Sequence, residues 1–204
     1  MTKEKEKILA ISKWVKGVMQ NNDPSHDYTH IARVLAIASY LCRKSEGANL
    51  FLTECIALLH DIKDDKLEST VTDKQLAEFL QNLDISEEQI QFILQGVNSI
   101  SFRKSPTLPS NTALEVKIVQ DADRIDAIGA VGIARAFAFA GHKKKPLGPN
   151  GANNALQHFN DKLFLLFDLL NTPIAKEIAK KRADFLHLFY DEFINEMEEQ
   201  KWND

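Results

Sequence analysis

Apolar side chains recur at intervals of three and four residues along almost the whole chain, and this spacing predicts helices throughout. Near the N-terminus Ile8, Ile11, Val15 and Val18 make one such stripe, with charged residues between them. No stretch shows the strict alternation of apolar and polar residues that is typical of a half-buried strand. We therefore expect an all-α bundle of about eight helices that forms a single domain over residues 1–204.

Several helix boundaries are marked by local signals. Ser86 followed by Gln89 is a capping box, and Thr72 is a second plausible N-cap. Thr172 before Pro173 predicts the start of a last helix, because proline favours the first helical position. One long helical pattern covers Ala113–Ala140, with a polar interruption, and one amphipathic helix is expected over Leu156–Leu170.

Composition excludes some classes of function. The net charge of −4 argues against general nucleic-acid binding, which usually needs a basic face. No apolar run is long enough to cross a bilayer, and the charged N-terminus is unlike a signal peptide. Cys42 and Cys55 lie in apolar helical segments, so we interpret both as reduced core residues of a cytoplasmic protein.

An adjacent His60–Asp61 pair follows an apolar helical run, in the string LLHDIKD. Imidazole nitrogens and carboxylate oxygens are ligands for divalent transition metals. Neighbouring side chains at a helix end point about 100° apart, so both can reach one ion. Two ligands do not make a stable site, and further ligands must come from elsewhere in the chain.

Two other segments place similar side chains among apolar residues. The first contains His26 and His30, and the second contains Asp121 and Asp123. Each segment also has a structural interpretation: a histidine on an apolar stripe is often a core residue, and the aspartates could pair with Arg124 on a solvated face. Three such segments together favour a metal centre, because helical bundles build metal sites from facing helices.

The order of these residues, H…HD…D, resembles the HD-domain phosphohydrolase superfamily. The match is closest to a small bacterial subgroup with segments like HDYTHIARV, LLHDIKD and VQDADRIDAIGAVGIARAF. The similarity extends from about Asp23 to Lys176, so it covers most of the chain. It implies a metal-site core over residues 23–140, with C-terminal helices over residues 152–200 packed on it.

The resemblance implies that His30, His60, Asp61 and Asp123 are the metal ligands. Asp121 remains an alternative to Asp123, because both flank Ala122. The ion in such proteins is a divalent metal such as Mn²⁺, Co²⁺, Ni²⁺, Fe²⁺ or Mg²⁺. Two histidines and two aspartates would leave positions open for water and a phosphate oxygen.

Other residues near these motifs are candidates for catalysis and for substrate binding. Asp64 could orient the attacking water and Lys66 could offset phosphate charge, although both could equally form a polar helix end. Arg33 could instead pair with Asp27 or Asp123, and Arg135 is expected to have a buried or site-facing partner. Lys143–Lys145 is either a lid over a triphosphate or a solvated run. The candidate substrate-binding residues are His26, Asp27, Arg33, Arg124 and Arg135.

The resemblance implies hydrolysis of (deoxy)nucleoside triphosphates to the monophosphate and pyrophosphate by a metal-activated water. One alternative is a nucleotide phosphomonoesterase or cyclic-nucleotide phosphodiesterase that uses the same centre. A second alternative is a non-catalytic protein that binds a metal or a nucleotide. The expected partner is a small phosphorylated molecule rather than nucleic acid or membrane, and a homodimer is left open.

Overall fold

The computed structural model describes residues 2–19, 28–63, 71–100, 107–148 and 154–198, and this part of the chain is helical without strands. This confirms the all-α prediction. The described helices are α1 (Lys3–Val18), α2 (Tyr28–Arg43), α3 (Leu50–Leu59), α4 (Asp73–Gln81), α5 (Glu87–Ser99), α6 (Leu114–Ala127), α7 (Gly129–His142), α8 (Gln157–Asp161) and α9 (Pro173–Glu198), with a 3-10 turn at Leu163–Leu165.

The chain divides into two compact units, Met1–Ala122 and Asp123–Asp204. In the first unit α3 is the central helix, because α1, α2 and α5 all pack on it. Seven of its ten residues are buried, as expected for a helix that is apolar on all sides. The organisation of residues 1–204 as a single domain stays a prediction.

Side-chain caps fix the starts of α4 and α5 in the first unit. The predicted capping box at Ser86 is confirmed, since Ser86 Oγ accepts from the Gln89 amide and the Gln89 side chain accepts from the Ser86 amide. Thr72 and Gln75 make the same reciprocal pair at α4. These bonds satisfy amide groups that have no partner inside the helix.

The second unit is held together by aromatic side chains. Phe137 of α7 lies 5.9 Å from Phe159 and 5.3 Å from Phe193 between ring centroids. Phe159 is fully buried and also faces Tyr190 of α9 at 5.7 Å. This cluster joins α7, α8 and the long C-terminal helix α9.

The long helical pattern over Ala113–Ala140 is two helices rather than one. α6 ends at Ala127, and α7 starts at Gly129 after a bend of 72°. Ile128 is in an extended conformation, and Gly129 has a φ of +77° that side chains other than glycine rarely adopt. The backbone at these two residues therefore ends one helix and redirects the next.

The amphipathic helix expected over Leu156–Leu170 is also broken. α8 has only five residues, Lys162 departs from helical geometry, and a 3-10 turn follows. The carbonyl of Leu169 accepts a hydrogen bond from Arg124 in place of a partner within a helix. Tertiary contacts here override the helical spacing of the apolar residues.

Among the described residues no single helix is both long and apolar enough to span a bilayer. The bent pair α6 and α7 meets the criteria of length and composition only when its two helices are taken together.

Candidate metal centre

α2 and α3 bring two histidines together inside the first unit. His30 is in the first turn of α2 and is 2% exposed, and His60 follows the last residue of α3 and is 8% exposed. Their ring centroids are 5.4 Å apart, with the rings 69° from parallel. The two helices pack against each other, so core packing holds both imidazoles in place.

The position and the tautomer of His60 are set by its own helix. Nδ1 of His60 lies 2.8 Å from the carbonyl oxygen of Ala57. A carbonyl can only accept, so Nδ1 carries the proton of this hydrogen bond. In a neutral ring the lone pair is then on Nε2, which is the arrangement that metal-binding histidines use.

Asp61 is 23% exposed and directs one carboxylate oxygen at each imidazole. Its Oδ1 lies 3.4 Å from Nε2 of His60, and its Oδ2 lies 3.3 Å from Nε2 of His30. Ligand atoms at about 2.1 Å from one ion, separated by angles of about 90° to 110°, lie about 3.0 to 3.4 Å apart. The observed spacing therefore fits a shared ion.

The donor set fits a divalent metal. Candidate ligand atoms of His30, His60 and Asp61 all lie within 4.8 Å of one another, and the two histidines are buried. Two nitrogens and one carboxylate suit Zn²⁺, Mn²⁺, Fe²⁺, Co²⁺ or Ni²⁺, and three protein ligands leave positions for water or substrate.

The two candidates for the fourth ligand lie on α6. Asp121 is fully buried in the first unit, whereas Asp123 is partly exposed and belongs to the second unit. Side chains two positions apart on a helix point about 200° apart around its axis. The two aspartates therefore face opposite sides of α6, and the assignment of either as a ligand stays a prediction.

The three arginines predicted to bind substrate all have protein partners. Nη1 of Arg33 donates to Thr29 Oγ1 at 3.3 Å, and Arg124 donates to the carbonyl of Leu169. Arg135 pairs with the carboxylate of Asp126, which is 1% exposed, at 3.0 Å. Arg135 thus has the buried partner that its apolar surroundings predicted. The proposed contacts of these arginines with substrate remain predictions.

Four predicted site residues lie outside the described part of the chain: His26, Asp27, Asp64 and Lys66. Their assigned roles stay predictions. In the Lys143–Lys145 run, Lys143 and Lys144 are exposed, and the ammonium of Lys143 lies 5.8 Å from the centre of the Phe139 ring.

Sequence reasoning missed two sets of contacts beside the centre. Tyr28, two residues before His30, places its hydroxyl 2.5 Å from Ser12 of α1. Lys63, two residues after Asp61, contacts Asp73 and Asn98. Proximity to the ligands was the available signal, but the partners are between ten and 35 positions away, and helical periodicity does not pair them.

A family model described as the HD domain matches residues 27–128, which include the three clustered residues. The chain belongs to the HD-domain family. This confirms the resemblance to the HD-domain phosphohydrolase superfamily, and the all-α structure agrees with it.

Several relatives of this HD-domain chain match over nearly its full length. YpgQ of Bacillus subtilis is 38% identical over 190 residues, which are 92% of each protein. The crystal structure of YpgQ in complex with ADP superposes with a TM-score of 0.83 at 35% identity, covering 98% of this chain and 100% of that one. An HD-superfamily hydrolase from Bacillus thuringiensis gives a TM-score of 0.78 at 36% identity, covering 97% and 100%.

Proposed function

We propose that this HD-domain protein is a metal-dependent phosphohydrolase that converts (deoxy)nucleoside triphosphates to monophosphates and pyrophosphate. The observation that carries the proposal is the cluster of His30, His60 and Asp61. A buried pair of imidazoles around one carboxylate is costly unless a cation or proton compensates it. An HD-domain relative described as a hydrolase supports the reaction class.

His30, His60 and Asp61 would each supply a ligand atom to the ion. Nε2 of each histidine and the carboxylate of Asp61 would bind it, and the Ala57 carbonyl keeps His60 in the required tautomer. A divalent ion held there would supply Lewis acidity, which makes water a better nucleophile near neutral pH and offsets phosphate charge. We assign Asp123 as the fourth ligand, with Asp121 as the alternative.

The remaining roles follow the chemistry of phosphate esters. Asp64 would orient the attacking water, and Lys66 would offset the charge of the leaving group. Arg33, Arg124 and Arg135 are proposed to contact phosphate oxygens, because a guanidinium matches the geometry of a phosphate group. We propose that His26 and Asp27 either contact the substrate or hydrogen-bond to one of the metal ligands.

A nucleotide is the best-supported substrate class. YpgQ, which matches over almost all of both chains, has been solved in complex with ADP. We extend nucleotide binding to this chain on that basis. We also propose a cytoplasmic location, which suits the two free thiols at Cys42 and Cys55.

The test is release of pyrophosphate and of orthophosphate from a panel of nucleoside tri-, di- and monophosphates and cyclic nucleotides. Each assay would contain Mn²⁺, Co²⁺, Ni²⁺ or Mg²⁺. Wild type should release pyrophosphate from triphosphates, and Asp61→Ala should release none. The matched control is Asp184→Ala, which removes an exposed carboxylate that pairs with Lys180 and should leave turnover unchanged.

The other outcomes discriminate between the alternatives. Orthophosphate from monophosphates would replace the proposal with a phosphomonoesterase, and opening of cyclic nucleotides would replace it with a phosphodiesterase. Metal binding with no turnover on any substrate would favour the non-catalytic alternative. Full turnover by Asp61→Ala would show that the metal centre is wrongly assigned.

A further inference from the structure

Lys63 makes a closed set of polar contacts next to the candidate metal centre. Its ammonium contacts Oδ1 of Asp73, at the start of α4, and lies 2.5 Å from Oδ1 of Asn98, near the end of α5. The Asn98 amide nitrogen in turn donates to Oδ2 of Asp73 at 3.4 Å. Each of the three side chains contacts the other two, so the set joins α4 and α5 to the turn that carries Asp61.

The turn itself has little freedom of its own. The amide of Ile62 donates to the Leu59 carbonyl at 3.2 Å, and the Ile62 side chain is 1% exposed. His60 is tied to Ala57 through its ring. Asp61 therefore lies between residues that are anchored on one side to α3 and on the other side, through Lys63, to α4 and α5.

The far end of this set is fixed as well. Asp73 is the first residue of α4, whose start is held by the reciprocal Thr72 and Gln75 bonds. A carboxylate on a capped first turn is a well-placed partner for a lysine. The Lys63 side chain is 22% exposed, so part of its stem is also packed.

We propose that Lys63, Asp73 and Asn98 form a positioning clamp that holds the Asp61 carboxylate between His30 and His60 and thereby sets the affinity for the divalent ion. This inference rests on the proposed function, because it concerns the same metal centre. The three clamp residues would act through Asp61, so they are positioning residues.

The clamp has a second consequence for charge. A free ammonium two residues from Asp61 would compete with a cation for that carboxylate. Pairing with Asp73 directs the Lys63 ammonium elsewhere. Loss of Asp73 therefore breaks the contact that holds the turn and also frees the Lys63 ammonium to compete with the ion for Asp61. Loss of the Lys63 charge only breaks the contact.

The test is the dissociation constant for Mn²⁺, measured by isothermal titration calorimetry on the full chain stripped of metal. Lys63→Met keeps the packed stem and should weaken Mn²⁺ binding about tenfold, in the range found when outer partners of metal ligands are removed. Lys63→Arg should keep the affinity within about threefold of wild type. Asp73→Asn should weaken binding at least as much as Lys63→Met, and adding Lys63→Met to it should recover part of the loss.

Lys74→Met is the matched control, because Lys74 is an exposed lysine next to Asp73 on α4, and its ammonium lies 3.9 Å from Glu78 Oε1 on the same helix. It should bind Mn²⁺ as wild type does. Melting curves recorded without metal would separate positioning from general stability. A Lys63→Met variant that melts earlier but keeps the wild-type affinity would overturn the clamp.

His60→Ala separates this inference from the proposed function. One outcome is that wild type binds Mn²⁺, His60→Ala does not, and the dissociation constant of Lys63→Met is within twofold of wild type. The metal centre would then stand, and the clamp would be wrong. If wild type fails to bind Mn²⁺, or His60→Ala binds it equally well, both are wrong. If Lys63→Met does not fold, Asn98→Ala replaces it, because Asn98 is exposed and its substitution disturbs no core packing. Asn98→Ala should weaken Mn²⁺ binding about threefold, and an unchanged affinity would overturn the clamp.

Discussion

Asp61 is the residue on which the two imidazoles converge, since each of its carboxylate oxygens faces a different Nε2. Asp61→Asn keeps the size of the side chain but replaces one oxygen with an amide nitrogen that cannot bind a cation. We expect Mn²⁺ affinity to fall by more than about 100-fold, beyond the effect of losing an outer partner. Calorimetric titration checks this, with Asp184→Asn as the control; an affinity within tenfold of wild type would contradict it.

Asp73 gives a pH-dependent prediction. Hydrogen bonding and charge from Lys63 hold the pKa of Asp73 below its ordinary value of 3.8, and burial only partly opposes this. Because the folded pKa is below the unfolded one, the stabilisation is complete above pH 3.8 and is lost as the pH falls through the folded pKa. Asp73 is 55% exposed, so we expect no more than about 1 kcal/mol.

Melting temperatures of wild type and Asp73→Asn measure this contribution. Wild type should melt higher at neutral pH, and the difference should shrink as the pH falls below 3.8 and the Asp73 carboxylate takes up its proton. A difference that stays constant across the range would mean that the charge of Asp73 contributes nothing.

At the residue scale the sequence indicated which ligand-type side chains lie together, but not the contacts around them. The grouping of His30, His60 and Asp61 could be predicted because several segments place ligand-type side chains among apolar residues, although each segment alone has a structural interpretation. The partners of Lys63 could not, since Asp73 and Asn98 are ten and 35 positions away on other helices. Only the tertiary packing of α4 and α5 brings them to the turn.

The corner between α6 and α7 depends on Gly129, which has positive φ and lies against Arg182 of α9. A Cβ at Gly129 would come within 3.1 Å of the Arg182 side chain. We expect Gly129→Ala to lower the free energy of unfolding by about 1 to 2 kcal/mol, from backbone strain and the close contact.

Gly141→Ala is the control for this substitution. Gly141 is an exposed residue of α7 with nothing within 4 Å of an added Cβ, so alanine should be neutral or slightly stabilising there. Urea unfolding of both variants provides the comparison. Equal effects at the two positions would show that the conformation of Gly129 is not what matters.

At the element scale, helices marked by both apolar periodicity and a capping residue were predictable, as α5 illustrates with its capping box at Ser86. The break at Ile128 was not, because the apolar spacing continues on both sides of it. The end of α8 at Asp161 was not predictable for the same reason, because apolar residues continue at helical spacing beyond it. Phe159, Leu163, Leu166 and Leu170 are buried at helical intervals although the backbone between them is not one helix.

The whole molecule should be stabilised by the ion that its centre is expected to hold. A ligand that binds only the folded state adds about 2.7 kcal/mol at a concentration 100 times its dissociation constant. Saturating Mn²⁺ should raise the urea midpoint of wild type accordingly, and a chelator should reverse the shift. His60→Ala should show neither effect, and an equal shift in that variant would place the stabilising ion elsewhere.

At the scale of the molecule the fold class followed from helical periodicity, and the HD-domain match confirms the family that the motifs indicated. Division into the units Met1–Ala122 and Asp123–Asp204 could not be predicted. The boundary falls inside α6, within the polar interruption of the long helical pattern, and no turn signal marks it as the edge of a unit.

Arg182 forms a hydrogen bond with a carbonyl group that is synthesised well before it, near the end of α6. Its Nη1 donates to the Ile125 carbonyl at 2.7 Å, across 57 positions. A ribosome that adds about 5 to 20 residues per second needs about 3 to 11 seconds to make that stretch. During synthesis the end of α6 must wait for this partner, so nascent chains that stop short of Arg182 should be cut by proteases near Ile128 more readily than the finished protein.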